Sequence, residues 1–322
     1  MTKPATLLLA LVLFVPAVSA KQAAAPPTRT IITEVRDLIA KDDFAAAEKT
    51  LRAFIAEKGA TPEALEAMSW LGRGALAKQR LDEANRFAQE TYGLSLKALD
   101  SRKMDDEPRL PIAIGAAIEV QAHVMAGKGD RSEAVYFLQR ELDEYKDTSI
   151  RARIQKNIHM LSLEGKPAPA YQVSEWIGPA KPPTLASLRG KPVMLFLWAH
   201  WCGDCKSMAK PLAELEAAYR DKGFTIVALT QRYGYVARRA PADPKTELAY
   251  IGQVAQEFYG GVNWTVPVDN ESFVSYGTST TPTVVLVDRQ GIVRMYHPGQ
   301  MKKDELEPHI KALVDGRSTE NR

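Results

Sequence analysis

Trp198-Ala199-His200-Trp201-Cys202-Gly203-Asp204-Cys205-Lys206 contains both cysteines of a 322-residue chain. The pair closes an apolar run, Val193 to Trp198, whose length and enrichment predict a buried strand. A helical pattern follows from Lys206 to about Tyr219. Cys-x-x-Cys at a strand-to-helix junction suits dithiol chemistry. The helix start directs N–H groups and partial positive charge at the first sulfur, which favours its thiolate. The second sulfur sits one turn on, within reach of the first. A disulfide across so short a loop restrains the unfolded chain little. The pair is therefore poorly placed as a structural staple and well placed for exchange.

Working outward, residues 1–20 read as a signal peptide. Lys3 supplies the positive start, Leu7 to Val15 the apolar core, and Val18-Ser19-Ala20 a small-residue cleavage site. The core is too short for a bilayer, which needs about 20 apolar residues. No cysteine lies near position 20 to carry a lipid, and no later stretch is expected to cross a membrane. The mature protein is expected to be exported and soluble, in the periplasm or an equivalent extracytoplasmic space. Apolar residues make up 45% and charged residues 25%, enough for two domains with cores of their own. The formal charge of +3 is spread without a basic block, which argues against nucleic acid as a partner.

Residues 21–30 form an Ala/Pro/Thr-rich linker, and 31–165 carry helical periodicity. Ile31-Ile32, Val35 and Leu38-Ile39 share one helix face. Thr61-Pro62 is an N-cap followed by proline at the first helical position. A weak repeat recurs at Asp43-Phe44-Ala45-Ala46-Ala47, Arg80-Leu81-Asp82-Glu83-Ala84 and Asp130-Arg131-Ser132-Glu133-Ala134, with closing alanines 37 and 50 residues apart. These openings resemble the second-helix start of tetratricopeptide repeats, and an all-α array of helical hairpins is expected. Such an array offers a surface to a protein partner or packs on the second domain. Asp100 to Pro111 reads as a break. His123 and His159 each stand alone among apolar residues, without a second ligand at metal spacing.

Gly165-Lys166-Pro167-Ala168-Pro169 ends the helical pattern, and residues 166–322 alternate between strand and helix. Strands are expected near Tyr171–Ile177, over Phe224–Thr230, Val266–Asp269 and Thr283–Asp288, and in a hairpin through Ile292–Tyr296. Helices are expected over Thr246–Tyr259 and Glu305–Val314. This is an α/β domain with a mixed central sheet.

Trp-Ala-x-Trp-Cys-x-x-Cys-Lys after an apolar strand resembles the active site of thioredoxin-fold proteins. Downstream, Tyr276-Gly277-Thr278-Ser279-Thr280-Thr281-Pro282-Thr283 resembles their second hallmark, in which the proline is cis and packs beside the cysteines. The leader, the long connection before Val266 and the Asp288–Gly291 hairpin are similar to the extracytoplasmic TlpA/ResA-like branch. The resemblance implies a thiol:disulfide oxidoreductase. Cys202 would attack and Cys205 would resolve the mixed disulfide. Trp201, Gly203, Asp204, Thr281 and Pro282 would shape the site, with Trp201 exposed and Trp198 in the core. It implies no cofactor beyond the Cys202–Cys205 disulfide and no metal. It also implies protein or small-molecule thiols as substrates, and an external electron donor.

The sequence departs from that pattern in three places. The buried acid that moves protons beneath the cysteines would fall at Phe196 or Met208, and neither is acidic. Water, His200 or Asp204 would have to serve. Pro211 comes six residues after the second cysteine rather than five, so the helix register can differ. Asp204 puts a carboxylate beside Cys202, which disfavours the thiolate and points to a reductase rather than an oxidase. Zinc or copper on His200, Cys202 and Cys205 would have three local ligands where structural zinc wants four. The peroxidase pattern fails at Leu195 and Ala199. The remaining alternative is a non-enzymatic scaffold that binds a partner through its helical half. Arg232, Tyr233, Tyr235, Arg238 and Arg239 open an insertion between Gln231 and Asn263 that would rim the site.

Overall fold

The structure is a computed structural model that describes residues 30–260 and 264–316. The expected signal peptide and all of the expected linker except Thr30 lie outside the described residues.

Seven helices come first: α1 Ile31–Ala40, α2 Phe44–Lys58, α3 Pro62–Ala77, α4 Leu81–Leu99, α5 Arg109–Gly127, α6 Arg131–Glu144 and α7 Arg151–Ser162. Each packs on the next, and α1, α3, α5 and α7 also pack in succession on one another. The weak repeat has a physical basis. A residue with positive φ precedes each repeat opening, at Asp42, Gln79 and Gly129. The following N–H then closes back on the previous helix: Asp43 to Leu38 O, Arg80 to Ala75 O and Asp130 to Met125 O, at 2.9–3.0 Å. Ala47, Ala84 and Ala134 each bury their methyl completely. The same register recurs in ion pairs, with Glu48 bridging Arg52 and Arg86 while Arg52 reaches Glu90.

Two expectations need correction here. The break ends before Arg109 rather than after Pro111, because a proline in the first turn lacks only an N–H that has no helical partner anyway. Helix α5 is long and apolar enough to cross a membrane, contrary to the expectation for the chain after its leader. Its neighbours α3, α4, α6 and α7 cover it, as a core helix requires.

The second half contains β1 Glu175–Ile177, β2 Val193–Leu197, α8 Gly203–Ser207, α9 Ala209–Tyr219, β3 Thr225–Leu229, α10 Pro244–Tyr259, β4 Val266–Val268, α11 Asn270–Ser275, β5 Thr283–Val287, β6 Val293–Pro298 and α12 Lys303–Val314. The sheet order is β3-β2-β5-β6. Strand β2 is parallel to β3 and antiparallel to β5, and β5–β6 is the hairpin. Strands β1 and β4 form a second, antiparallel pair. This pair extends the sheet at the edge of β3, where Thr230 N–H donates to Pro267 O at 3.0 Å. Alternation along β2 divides the core. Met194, Phe196 and Trp198 pack with α9, α10 and α12, while Leu195 and Leu197 pack with Tyr171, Phe273 and Tyr276 on the other face. The fold is thioredoxin-like.

The helix expected after the cysteines is divided. Met208 interrupts it, and Pro211, which lacks an N–H to return to Ser207, sits in the first turn of α9. Only the three-residue end of the expected Tyr171–Ile177 strand pairs, and α11 had no expectation attached to it.

The two halves meet along one seam. Gly165 N–H donates to Val293 O, and Tyr296 N–H donates to Glu164 Oε1 at 3.2 Å. His159 Nε2 donates to Ser275 O at 2.8 Å and stacks edge-on against Tyr296. Gly277, at φ 61, lies so close to α7 that a Cβ there would meet Lys156 N at 2.3 Å.

Candidate functional site

Strand β2 runs out at Leu197 and delivers Trp198 into the core, fully buried, with its indole N–H on Ala228 O. Four residues after Trp198 the chain turns into α8 with Cys202 as N-cap. Its Sγ accepts the Cys205 N–H at 3.0 Å, and the two sulfurs form a disulfide with Cα atoms 5.3 Å apart. Cys202 keeps 4% of its surface exposed and Cys205 none, so a partner reaches the pair only through Cys202.

The Thr281–Pro282 bond is cis, and the Thr281 carbonyl oxygen lies 3.5 Å from Cys202 Sγ. Pro282 O accepts the Gly299 N–H, and the β5 ladder begins only at Thr283, which leaves the Thr281 backbone at the mouth of the site. Trp201 is 49% exposed, with its ring edge-on to Tyr233. Gly203 and Asp204 are both exposed. The structure therefore brings together all seven site residues expected from sequence.

The floor beneath the sulfurs is apolar. Phe196 and Met208 are buried where an acid was sought, and Phe196 packs against Tyr259 and Trp264. His200 is 1% exposed and turns into a cage formed by Tyr233, Tyr235 and Tyr250, all edge-on at 5.4–5.6 Å. Burial holds its pKa below the usual value, against the pull of Glu247. The neutral ring donates from Nε2 to Glu247 Oε1 at 3.3 Å, while Nδ1 is buried without a partner.

Glu247 is the residue that sequence reasoning missed. It is 1% exposed and also accepts the Tyr233 N–H at 2.5 Å and the Gly234 N–H at 2.8 Å. It thereby pins a turn that returns through Val236 N–H to Ala240 O and Ala242 N–H to Gly234 O. A signal was present: Glu247 falls on the same stripe of α10 as Ile251 and Val254, an acid on an apolar face.

A second cleft, about 600 Å³, opens where Ser279 faces Asp105, Glu107 and Arg153 of the helical half. Its acids serve locally: Asp105 accepts from Ser149, and Glu107 from the N–H of Arg109.

The geometry of a buried strand, a Cys-x-x-Cys helix cap and a cis-proline loop agrees with a family match. The Redoxin family matches residues 163–313. The match and the fold together place residues 163–313 among the thioredoxin-fold thiol:disulfide oxidoreductases. No curated protein matches the chain. Among solved structures, the chain is similar to a putative thiol:disulfide interchange protein DsbE from Chlorobium tepidum. That match has 29% identity and a TM-score of 0.37, and covers 47% of this chain and 97% of that one. A secreted Mycobacterium tuberculosis disulfide oxidoreductase shares 25% identity over 40% of this chain and 86% of its own, with a TM-score of 0.31. An exposed lipoprotein thioredoxin from Streptococcus pneumoniae shares 22% over 45% and 100%, with a TM-score of 0.35. Each covers less than half of this chain, and all seven helices α1–α7 precede the Redoxin match.

Proposed function

We propose that the protein is an exported thiol:disulfide oxidoreductase whose Cys202–Cys205 pair reduces disulfides in protein or small-molecule substrates. The observation that carries this reading is the disulfide at a helix cap, reachable only at Cys202, with Cys202 Sγ 3.5 Å from the carbonyl that precedes cis-Pro282. In the reduced protein the Cys202 thiolate attacks a substrate disulfide, and one substrate thiolate leaves. Cys205 then attacks Cys202 Sγ, the second substrate thiol departs, and the Cys202–Cys205 disulfide forms. Two electrons pass to the substrate, and an external dithiol donor restores the pair.

Three features oppose a highly stabilised Cys202 thiolate and so favour reduction. The Thr281 carbonyl presents its negative end to the sulfur. Asp204 adds a carboxylate, screened by its exposure. The break at Met208 leaves α8 five residues long, which limits its dipole. No acid is assigned to proton transfer; water at the mouth of the site serves, since His200 is turned toward Glu247. The Leu7–Val15 leader supports export. The helical half is read as a tetratricopeptide-like array over 31–165 that offers a surface to a protein partner, with the thioredoxin-like domain over 166–322.

The test is insulin reduction by the full chain with dithiothreitol, together with the potential of the pair. Activity abolished by Cys202→Ser, a trapped mixed disulfide in Cys205→Ser, and a potential below about −220 mV support a reductase. A potential near about −120 mV indicates an oxidant. No activity, with Cys202→Ser indistinguishable from wild type, sinks the redox reading.

A further inference from the structure

A cleft of about 350 Å³ adjoins the disulfide on its Trp201 side. Its wall combines His200, Trp201, Tyr235 and Tyr250 with three cations, Lys206, Arg238 and Arg239, and includes no acid. This departs from the chain as a whole, whose charges nearly balance. Among the described residues no carboxylate is within ion-pair distance of Arg238 or Arg239. The acids nearest in sequence are engaged elsewhere: Asp243 caps α10, and Glu247 holds Tyr233, Gly234 and His200. Lys206 lies over the Phe258 ring, 4.7 Å from its centroid, with its charge unpaired.

The two arginines are also presented by a built turn. Val236 N–H reaches Ala240 O at 2.9 Å, and Tyr235 bridges to Pro241. At the tip Arg238 and Arg239 both take positive φ, 55° and 58°, a conformation that costs a non-glycine residue energy. Glu247 anchors the base of that turn in the core. Exposed guanidinium groups on an anchored turn, without an ion-pair partner among the described residues and beside aromatic rings, suit a carboxylate bound through charge-assisted hydrogen bonds.

We infer that this cleft is a substrate subsite that takes a carboxylate carried beside the cysteine to be reduced. The inference rests on the redox reading above. The carboxylate can come from an acidic residue of an extended peptide or from a small acidic thiol, and the cleft recognises the shared group. Substrate selection by this domain then runs through the insertion on the Trp201 side.

The test separates binding from exchange. Short labelled peptides with serine in place of cysteine and Glu, Gln or Lys beside it are titrated against the full oxidised chain by fluorescence anisotropy. The expected result is that the Glu peptide binds about tenfold tighter than the Gln peptide at low salt, with the advantage falling as salt rises. Arg238→Glu/Arg239→Glu should reverse the order in favour of Lys, an outcome misfolding does not produce. Arg238→Gln/Arg239→Gln should abolish the preference. Equal binding of the three peptides, or an order unchanged in the charge-swapped protein, overturns the subsite. The cysteine-containing peptides then report on the chemistry. Glu-selective binding with no disulfide exchanged would leave the subsite standing and refute the oxidoreductase. Exchange at equal rates with equal binding would do the reverse. Oxidised glutathione against its ethyl ester separates the sources: discrimination there assigns the small thiol, and discrimination among the peptides alone assigns the peptide.

Discussion

Glu247→Ala removes the one carboxylate that ties the Tyr233–Ala242 turn to the ring of His200. Three donors lose their acceptor: His200 Nε2, Tyr233 N–H and Gly234 N–H. An unsatisfied buried donor costs about 1–3 kcal/mol. His200 is wholly buried and takes the larger share, Tyr233 is half-buried, and Gly234 is exposed enough for water to compensate. The sum is about 3–4 kcal/mol, as expected when buried donors lose a charged acceptor. In a domain of this size each kcal/mol moves the melting midpoint by about 2–4 °C, so the expected fall is about 6–16 °C. Glu247→Gln behaves differently. Its amide oxygen can occupy the Oε1 position and keep Tyr233 and His200, while its NH₂ opposes only the Gly234 N–H, at about 1 kcal/mol. The assay pairs calorimetry with limited trypsin digestion, because a released turn offers Arg238 and Arg239 to the protease. A Glu247→Ala protein that melts within about 2 °C of wild type and resists trypsin equally would refute the assignment of Glu247 as the anchor of this turn.

Gly277→Ala should destabilise the chain by about 2–4 kcal/mol, since it adds a left-handed penalty to a methyl driven against the backbone of α7; a urea midpoint unchanged from wild type would contradict the tight seam. Burial lowers the pKa of His159 and of His200, so the unfolded chain binds protons first as pH falls. Stability is therefore full above about pH 6.5 and declines below it, with a shallower decline in His159→Gln; a flat or opposite slope in wild type would show that burial does not depress the two rings. Trp201→Ala should lower kcat/KM on peptide disulfides at least fivefold while costing under about 1 kcal/mol of stability, because the ring is half exposed and its one aromatic contact among the described residues is edge-on to Tyr233. Equal kcat/KM would remove Trp201 from the site.

The sequence carried the parts of this architecture that depend on local pattern. Val193 to Leu197 is apolar throughout because β2 is central and covered on both faces, so its burial could be anticipated without a partner. Thr61-Pro62 and Asp43 announced helix starts through caps that act within one turn. The cysteine pair and Thr281-Pro282 are recognisable because their chemistry is confined to a few adjacent residues. Glu247 escaped because its meaning is non-local: its partners are 13, 14 and 47 residues away in sequence. Helix α11 escaped because six residues are too few to show a period, and the break at Met208 because Pro211 acts four residues upstream of itself.

The seam between the halves is of the same kind, and it bears on the site. The segment from Phe273 to Thr281 leads directly into cis-Pro282, and it is held from both sides. His159 donates to Ser275 O, Gly277 abuts Lys156, Tyr276 OH reaches Pro169 O, and Tyr296 OH donates to Tyr276 O. Two of those contacts come from α7. The loop that positions the Thr281 carbonyl against Cys202 is thus supported partly by the helical half, and a Redoxin domain cut away at residue 163 would lose that support. Glycine at 277 is required by this approach: the backbone of α7 occupies the space where any other side chain would begin. The residue that sequence comparison would credit to the active-site loop is explained by its contact with the other half of the molecule.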